Sequence, residues 1–167
     1  MSDRKASVVL LGILAVAGLG LSGYMFLKNE IIFPSNSAIR NVWYVEKYSS
    51  HYDPADSCED IPSMNILATV NSGESLYLLF NAHAGAYGSG APSSIEIQIK
   101  MNGILLDHPH MYVGVTGGTT DTYTTICLQY SNTTIPAGIY NISICASRTA
   151  STTNWIKDRT LLIYTYV

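Results

Sequence analysis

Two histidines separated by one proline are the most obvious candidates for chemistry in this sequence. His108 and His110 would point to the same side of a strand, and His83 or Asp107 could join them around a metal ion. Pro109 breaks the strand pattern between them, and the spacing fixes no third ligand. We therefore interpret both histidines as exposed residues at a strand end and predict no metal centre.

A second candidate is an acidic segment with Asp53, Asp56, Glu59 and Asp60. Clustered carboxylate oxygens are the ligands that Ca²⁺ prefers. The segment lacks the Asp-x-Asp-x-Asp-Gly spacing of a calcium-binding loop. It is interpreted as a solvated acidic loop.

The motifs that nucleophilic enzymes require do not occur in the sequence. There is no Gly-x-Ser-x-Gly turn and no recognisable Cys/His signature, so no base is placed beside an activated nucleophile. The glycines at positions 85, 88 and 90 precede no helix, and they are interpreted as a flexible loop. We predict that the protein is not an enzyme and needs no cofactor.

Three cysteines, an odd number, leave at least one thiol free or paired between chains. Cys127 and Cys145 both lie on the outward faces of their predicted strands, so they could form a disulfide if those strands are neighbours. In a jelly roll the two strands belong to opposite sheets, and the sulfur atoms would be too far apart. Cys58 lies in a loop and is expected to be the freest of the three.

Two sequons mark candidate glycosylation sites. They are Asn132-Thr133-Thr134, in a predicted loop, and Asn141-Ile142-Ser143, on the outward face of a predicted strand. Both positions are sterically open to modification if the domain is exported.

The elements that must position these residues begin with an apolar N-terminal run. Ala6–Leu27 has 22 residues without a charge, and a helix needs about 20 apolar residues to cross a bilayer. Arg4 and Lys5 precede the run, which predicts a cytoplasmic N-terminus of residues 1–5 and an extracellular remainder. We expect a single-pass protein of the cell membrane, with residues 28–40 as a stalk below a domain of residues 41–167.

Two other interpretations of the same run stay open. Ala15-Val16-Ala17 resembles the cleavage site of a secretory signal peptide. Asp3-Arg4-Lys5-Ala6 resembles the short charged leader of archaeal-type prepilins. An uncleaved signal-anchor is the interpretation that we favour.

The rest of the chain alternates between apolar and polar residues in short runs, which is typical of strands. The clearest run places Ile95, Ile97 and Ile99 on one face, followed by the hairpin dipeptide Asn102-Gly103. No helical run separates the strands, so the pattern predicts an all-β, antiparallel β-sandwich or jelly roll. The eight predicted strands are residues 41–48, 64–70, 75–84, 94–101, 104–115, 122–130, 139–147 and 159–167.

The order of features in residues 41–167 resembles the jelly-roll domains of the complement-globular and tumour-necrosis-factor superfamily. The resemblance implies a compact homotrimer that presents loops to a ligand, and it implies no catalysis. The segments that carry it are Tyr77-Leu78-Leu79-Phe80, Lys100-Met101-Asn102-Gly103, Ile135-Pro136-Ala137-Gly138-Ile139-Tyr140 and Arg159-Thr160-Leu161-Leu162-Ile163-Tyr164.

Two functional hypotheses follow. The first is a membrane-anchored surface module for binding or adhesion, homotrimeric through apolar sheet faces, with an extracellular ligand that the sequence does not identify. The second is a pilin-like filament subunit whose apolar helix packs into a fibre core. A net charge of −3 gives no basic excess for nucleic acid. Because tyrosine tolerates both burial and water, some of a group of tyrosines should cover an interface: Tyr44, Tyr112, Tyr123, Tyr164 and Tyr166.

Overall fold

The computed structural model describes residues 38–48, 52–88, 90–116, 121–149 and 154–167. Within these ranges every regular element is a strand, and none is a helix long and apolar enough to cross a membrane. The predicted cytoplasmic N-terminus, membrane segment and most of the stalk lie outside the described residues. The strands are β1 (Ile39–Lys47), β2 (Glu59–Val70), β3 (Ser75–Tyr87), β4 (Ser93–Met101), β5 (Ile104–Val115), β6 (Asp121–Asn132), β7 (Gly138–Thr149) and β8 (Trp155–Tyr166).

The eight strands form two antiparallel sheets of four strands each. One sheet has the order β1-β8-β3-β6 and the other has the order β2-β7-β4-β5. Consecutive strands therefore often belong to opposite sheets, as in a jelly roll. The prediction of an all-β antiparallel sandwich is confirmed for this part of the chain.

The core lies between the sheets and follows the alternation of the sequence. On β3, Leu76, Leu78 and Phe80 are fully buried, and on β4 Ile95 and Ile97 meet them from the other side of the core. Alternate residues of a strand point to opposite faces, so each of these runs supplies one layer of the core. The predicted inward faces of both strands are thus confirmed.

Prolines explain where the strands differ from prediction. β2 begins at Glu59, inside the segment predicted as a loop, and contains Pro62 beside Ser63, which has a φ of +65°. β5 runs through Pro109 as one strand, but its pairing with β4 is interrupted there as predicted: His110 pairs with Gln98, and the next paired residue is Leu105, opposite Lys100. Both β2 and β5 are edge strands, and an edge strand tolerates a residue that has no N–H to donate.

The cysteines pair differently from the predicted alternative. Cys58 and Cys145 form the disulfide, with their Cα atoms 5.4 Å apart, and Cys127 is a free, exposed thiol. Asp60 pairs with Cys145 across β2 and β7. Cys58 lies two residues before Asp60, which brings its sulfur atom close enough to bond to Cys145. β6 and β7 belong to opposite sheets, the case in which Cys127 and Cys145 were expected to be too far apart to pair, so the alternative disulfide does not form. The expectation that Cys58 is the freest cysteine is wrong.

The hairpin prediction is confirmed between β4 and β5. Asn102 and Gly103 have φ angles of +53° and +79°, as a type I′ turn requires at both central positions. The turn is also fixed to the neighbouring strand β7. The N–H of Asn102 donates to the carbonyl of Asn141, and the N–H of Asn141 donates to Oδ1 of Asn102, at 2.7 and 2.8 Å.

Candidate functional site

The outer surface of the sheet β1-β8-β3-β6 carries apolar and aromatic side chains where a solvated sheet face would be polar. Two rows of directly paired residues cross it: Val42, Tyr164 and Tyr77 in one row, and Tyr44, Leu162 and Leu79 in the next. Tyr166 lies on the same face, two residues beyond Tyr164, at the end of β8. We call this surface the aromatic face: Val42, Tyr44, Tyr77, Leu79, Leu162, Tyr164 and Tyr166.

Two stacked tyrosines form the centre of the aromatic face. The rings of Tyr77 and Tyr164 are stacked, with centroids 4.8 Å apart, and Tyr166 lies 6.1 Å from Tyr164. Tyr164 is only 2% exposed, and burial raises the pKa of both Tyr77 and Tyr164 above the ordinary value. Aromatic neighbours thus already exclude water from the middle of an outer surface.

The two residues at the β1 edge of the aromatic face stay open to solvent. Val42 is 58% exposed, and Tyr44 is exposed beside it. The hydroxyl groups of Tyr44 and Tyr48 both donate to one oxygen of Glu46, at 2.5 and 2.9 Å. These hydrogen bonds lower the pKa of Glu46 and keep a carboxylate at the rim of the patch.

The outer surface of the other sheet carries charged and polar side chains with a few exposed apolar ones, such as Leu67 and Ile139. Glu96 of β4 accepts a hydrogen bond from the Tyr112 hydroxyl at 2.6 Å, and His110 Nδ1 lies 3.8 Å from the same carboxylate. Lys100, also on β4, reaches across β7 and binds Asp60 of β2 at 2.9 Å. This face has the alternating polar residues that a solvated sheet requires, so the two outer surfaces are chemically distinct.

A cleft lies in the sheet β1-β8-β3-β6, at the end away from the stacked tyrosines, where β3 ends and β6 and β8 begin. Its volume is about 250 Å³. Tyr123 is strongly exposed, and Tyr87 and Trp155 are partly exposed. We call it the Trp155 cleft; its lining residues are Ala86, Tyr87, Asp121, Thr122, Tyr123 and Trp155.

Gly85 and Asn154 position the aromatic rings of the Trp155 cleft. The indole of Trp155 lies against Gly85 so closely that a Cβ there would sit 2.5 Å from ring atom Cε2. Asn154, 1% exposed, accepts hydrogen bonds from the Tyr87 N–H (3.1 Å) and the Ser93 hydroxyl (3.0 Å). Its amide group donates to the Ser94 carbonyl at 3.2 Å. The start of β8 is therefore fixed to β3 and β4 by one buried side chain.

The five tyrosines that the sequence singled out are divided between three surfaces. Tyr44, Tyr164 and Tyr166 belong to the aromatic face, Tyr123 lines the Trp155 cleft, and Tyr112 lies on the polar sheet. The structure thus brings three of the five together.

The other predicted residues lie elsewhere. His108 and His110 are exposed on β5, with rings 5.3 Å apart, and no group of three metal-ligating side chains occurs among the residues described. In the acidic loop, Asp53 and Asp56 both bind Arg148, at 2.7 and 3.2 Å. These hydrogen bonds raise the pKa of Arg148. The acidic loop is therefore tied to β7 by ion pairs.

Sequence reasoning missed Tyr77, Leu79 and Leu162 as surface residues. A pattern was present: β3 reads Leu76-Tyr77-Leu78-Leu79-Phe80 and β8 reads Leu161-Leu162-Ile163-Tyr164, so both faces of each strand are apolar. Such runs are typical of strands buried on both sides. The Trp155 cleft was missed because its residues come from three strands that are distant in sequence.

Comparison with known proteins gives distant likenesses only. No protein-family model matches the chain, and no curated protein matches it. Similar solved structures include infectious bursal disease virus, Gx strain (13% identity, TM-score 0.40, 74% of this chain and 32% of that chain). The CBM36-1 domain of a multidomain xylanase from the hindgut metagenome of Trinervitermes trinervoides has 14% identity and a TM-score of 0.35, over 74% and 96% of the two chains.

A family 35 carbohydrate binding module from Clostridium thermocellum has 17% identity and a TM-score of 0.27, over 77% and 98% of the two chains. The chain spans about a third of the length of the virus chains that it matches. At these scores the likenesses assign neither a family nor a ligand to this protein.

Proposed function

We propose that this protein is a non-enzymatic surface module for binding or adhesion, anchored in the cell membrane by Ala6–Leu27 and assembled as a homotrimer through the aromatic face. The observation that carries the proposal is the contrast between the two outer surfaces. One sheet shows rows of apolar and aromatic residues, and the other shows ion pairs and hydrogen bonds. Contiguous apolar surface on a soluble domain is a mark of an interaction site.

A second copy of this chain is the occupant that fits the aromatic face best. The centre of the face is uncharged in both rows, and Glu46 stands at its rim with two tyrosine hydroxyls bound to it. An apolar centre with a polar rim is the usual anatomy of a protein–protein interface, and tyrosine is enriched there. The number of copies, three, is what the jelly-roll resemblance implies.

A membrane anchor would favour association of the exported domains through the aromatic face. Copies held in one membrane meet at high effective concentration, so a modest affinity is enough for assembly. The N-terminus of residues 1–5 stays in the cytoplasm, and the sandwich lies outside the cell, where a disulfide such as Cys58–Cys145 persists.

The test is the solution mass of residues 34–167 by size exclusion with light scattering. This fragment contains all the strands and the whole core of the described residues, so it separates association of the sandwich from association of the apolar segment. We expect three times the mass of one copy. A monomer at all concentrations would refute trimerisation through the sandwich.

A monomeric sandwich would instead favour the pilin-like filament subunit, whose assembly depends on the N-terminal helix. That alternative requires cleavage after Ala6, and N-terminal sequencing of the native protein shows whether cleavage occurs. An intact N-terminus together with a trimeric fragment is the outcome expected for the membrane-anchored module.

A further inference from the structure

We propose that the Trp155 cleft is a carbohydrate-binding site that holds one pyranose ring of a glycan. The inference depends on the proposed role as a binding module and not on trimerisation, because the cleft and the centre of the aromatic face occupy opposite ends of one sheet. The tyrosine pair at positions 77 and 164 marks one end, and the pair Gly85–Trp155 marks the other.

The cleft has the size of a small ligand. Its volume of about 250 Å³ is slightly below the range of about 300–1,000 Å³ that is common for sites of drug-sized ligands. A single sugar ring suits such a space, and longer glycans can extend from it across the sheet end.

The aromatic side chains provide the apolar part of the site. Three of the six lining residues are aromatic: Tyr87, Tyr123 and Trp155. A pyranose has one face of C–H groups that can lie on an aromatic ring, whose face is electron-rich. Gly85 lets the indole lie flat on the strand backbone, and the start of β8 is fixed by buried Asn154. The ring is therefore largely preorganised, which lowers the entropic cost of binding.

The polar groups of the cleft match the hydroxyl groups of a sugar. Asp121 is exposed, and among the described residues its carboxylate has neither an ion pair nor a hydrogen-bond partner. A carboxylate can accept two hydroxyl hydrogen bonds at once, and charge-assisted bonds are the stronger kind. The hydroxyls of Thr122, Tyr87 and Tyr123 line the same space and can both donate and accept.

The positive charge of Lys157 at the cleft favours a neutral ligand over a cationic one. Three aromatic rings and a carboxylate could also hold a quaternary ammonium group. The ammonium group of Lys157, however, already lies over the indole, 5.1 Å from its centre. A cationic ligand would meet this like charge, whereas a sugar oxygen can accept a hydrogen bond from it. Because Lys157 covers part of the indole, the C–H face of the sugar is placed on the neighbouring rings of Tyr87 and Tyr123.

The test uses the full chain in mild detergent with Trp43→Phe, which leaves Trp155 as the sole tryptophan because the sequence has two. The probes are methyl glycosides of glucose, galactose, mannose, xylose and N-acetylglucosamine, together with β-linked disaccharides of these sugars. At least one probe should change the Trp155 emission saturably, with a Kd on the order of 1 mM or tighter.

Two variants in the same background examine the site. Asp121→Asn should weaken binding about tenfold, because one carboxylate oxygen is replaced by an amide NH2 that cannot accept a hydrogen bond, and the remaining oxygen loses its charge. Gly85→Ala keeps Trp155 but pushes the indole off the strand, and it should abolish the saturable response. Tyr112→Ala is the matched control, since it removes an exposed tyrosine from the other sheet, and its Kd should equal that of the parent.

The proposal is overturned if no probe saturates, or if Asp121→Asn binds as tightly as the parent. It is also overturned if choline binds more tightly than every sugar and displaces them. Light scattering of residues 34–167, alongside the sugar titrations of the full chain, keeps the two proposals apart: a monomeric fragment with a sugar-binding chain refutes only the trimer, and a trimeric fragment without sugar binding refutes only the cleft.

Discussion

Tyr77 and Tyr164 stack on the outside of the sandwich, with ring centroids 4.8 Å apart and ring planes inclined by 22°. They belong to neighbouring strands β3 and β8 and are directly paired. A stacked pair contributes about 0.5–1.5 kcal/mol beyond its buried area. The pair also holds both rings in place before any partner arrives, so little side-chain entropy remains to be lost on association.

Val42→Lys should disrupt the homotrimer without unfolding the domain. Val42 is paired with Tyr164 and is 58% exposed, so a lysine there is solvated in the monomer. In a trimer its charge would be desolvated against aromatic rings, and buried unpaired charges cost several kcal/mol. We expect association to weaken by about 100-fold or more, measured as the concentration at which light scattering shows dissociation.

Leu67→Lys is the matched control for that substitution. Leu67 is an aliphatic residue on the outer surface of an edge strand, like Val42, and is 65% exposed. It belongs to the other sheet, so the variant should remain trimeric and melt with the parent. Dissociation of both variants alike would mean that added charge, and not the aromatic face, controls assembly.

The Cys58–Cys145 disulfide should make a large contribution to stability. It joins residues 87 positions apart, and a long closed loop restricts the unfolded chain. Cys58→Ser with Cys145→Ala should lower the free energy of unfolding by about 2–4 kcal/mol in urea titrations. Cys127→Ser should leave it unchanged, since that thiol is free and exposed. Equal stability of the double variant and the parent under oxidising conditions would contradict the pairing.

The sequence predicted the core well because local alternation decides which face of a strand is buried. Leu76, Leu78 and Phe80 are spaced two positions apart, and a strand must place them on one side. The hairpin at Asn102-Gly103 was equally local, since two positive φ angles select those residue types. Both predictions needed no knowledge of which strands are neighbours.

Features that depend on strand pairing could not be predicted in this way. The chain from 85 to 93 was expected to be a loop, yet β3 continues to Tyr87. The strand continues because residues 85–87 pair with residues 121–123 of the distant strand β6, and Gly85 leaves room for the indole of Trp155. The partner of Cys145 was likewise decided by the pairing of β2 with β7, for which the sequence around Cys58 contains no pattern.

Glu74 should make stability depend on pH through the turn between β2 and β3. Its carboxylate accepts hydrogen bonds from the side chain and the backbone N–H of Asn71, at 2.9 and 3.0 Å. These bonds lower its pKa below the ordinary value of 4.5, so the carboxylate is stabilised in the folded state. The contribution is present above the unfolded pKa and is lost as the pH falls through the lowered, folded pKa.

Glu74→Gln isolates this effect. The variant should be less stable than the parent by about 1 kcal/mol at neutral pH, and the difference should vanish in acid. Asn71→Ala removes the largest cause of the shift and should reduce the same pH dependence. Urea titrations across the acid range measure all three proteins. A difference that persists at the lowest pH would show that Glu74 acts by packing instead.

Glycosylation should occur at Asn141 in preference to Asn132. Asn132 is paired with the inward residue Leu76, and its amide nitrogen donates to the Tyr130 hydroxyl at 3.1 Å. Its carbonyl oxygen accepts from the N–H of Thr134 at 2.9 Å. Both ends of this side chain are therefore occupied within the fold.

The side chain of Asn141, by contrast, is exposed on the polar sheet and has no hydrogen-bond partner among the described residues, while its backbone is bound to Asn102. A bulky glycan there projects away from the aromatic face, so modification is compatible with a trimer. In a secretory eukaryotic host, Asn141→Gln should remove the mass that glycan-releasing enzymes remove from the parent. Asn132→Gln should leave that mass in place, and loss of the glycan in Asn132→Gln alone would reverse the assignment.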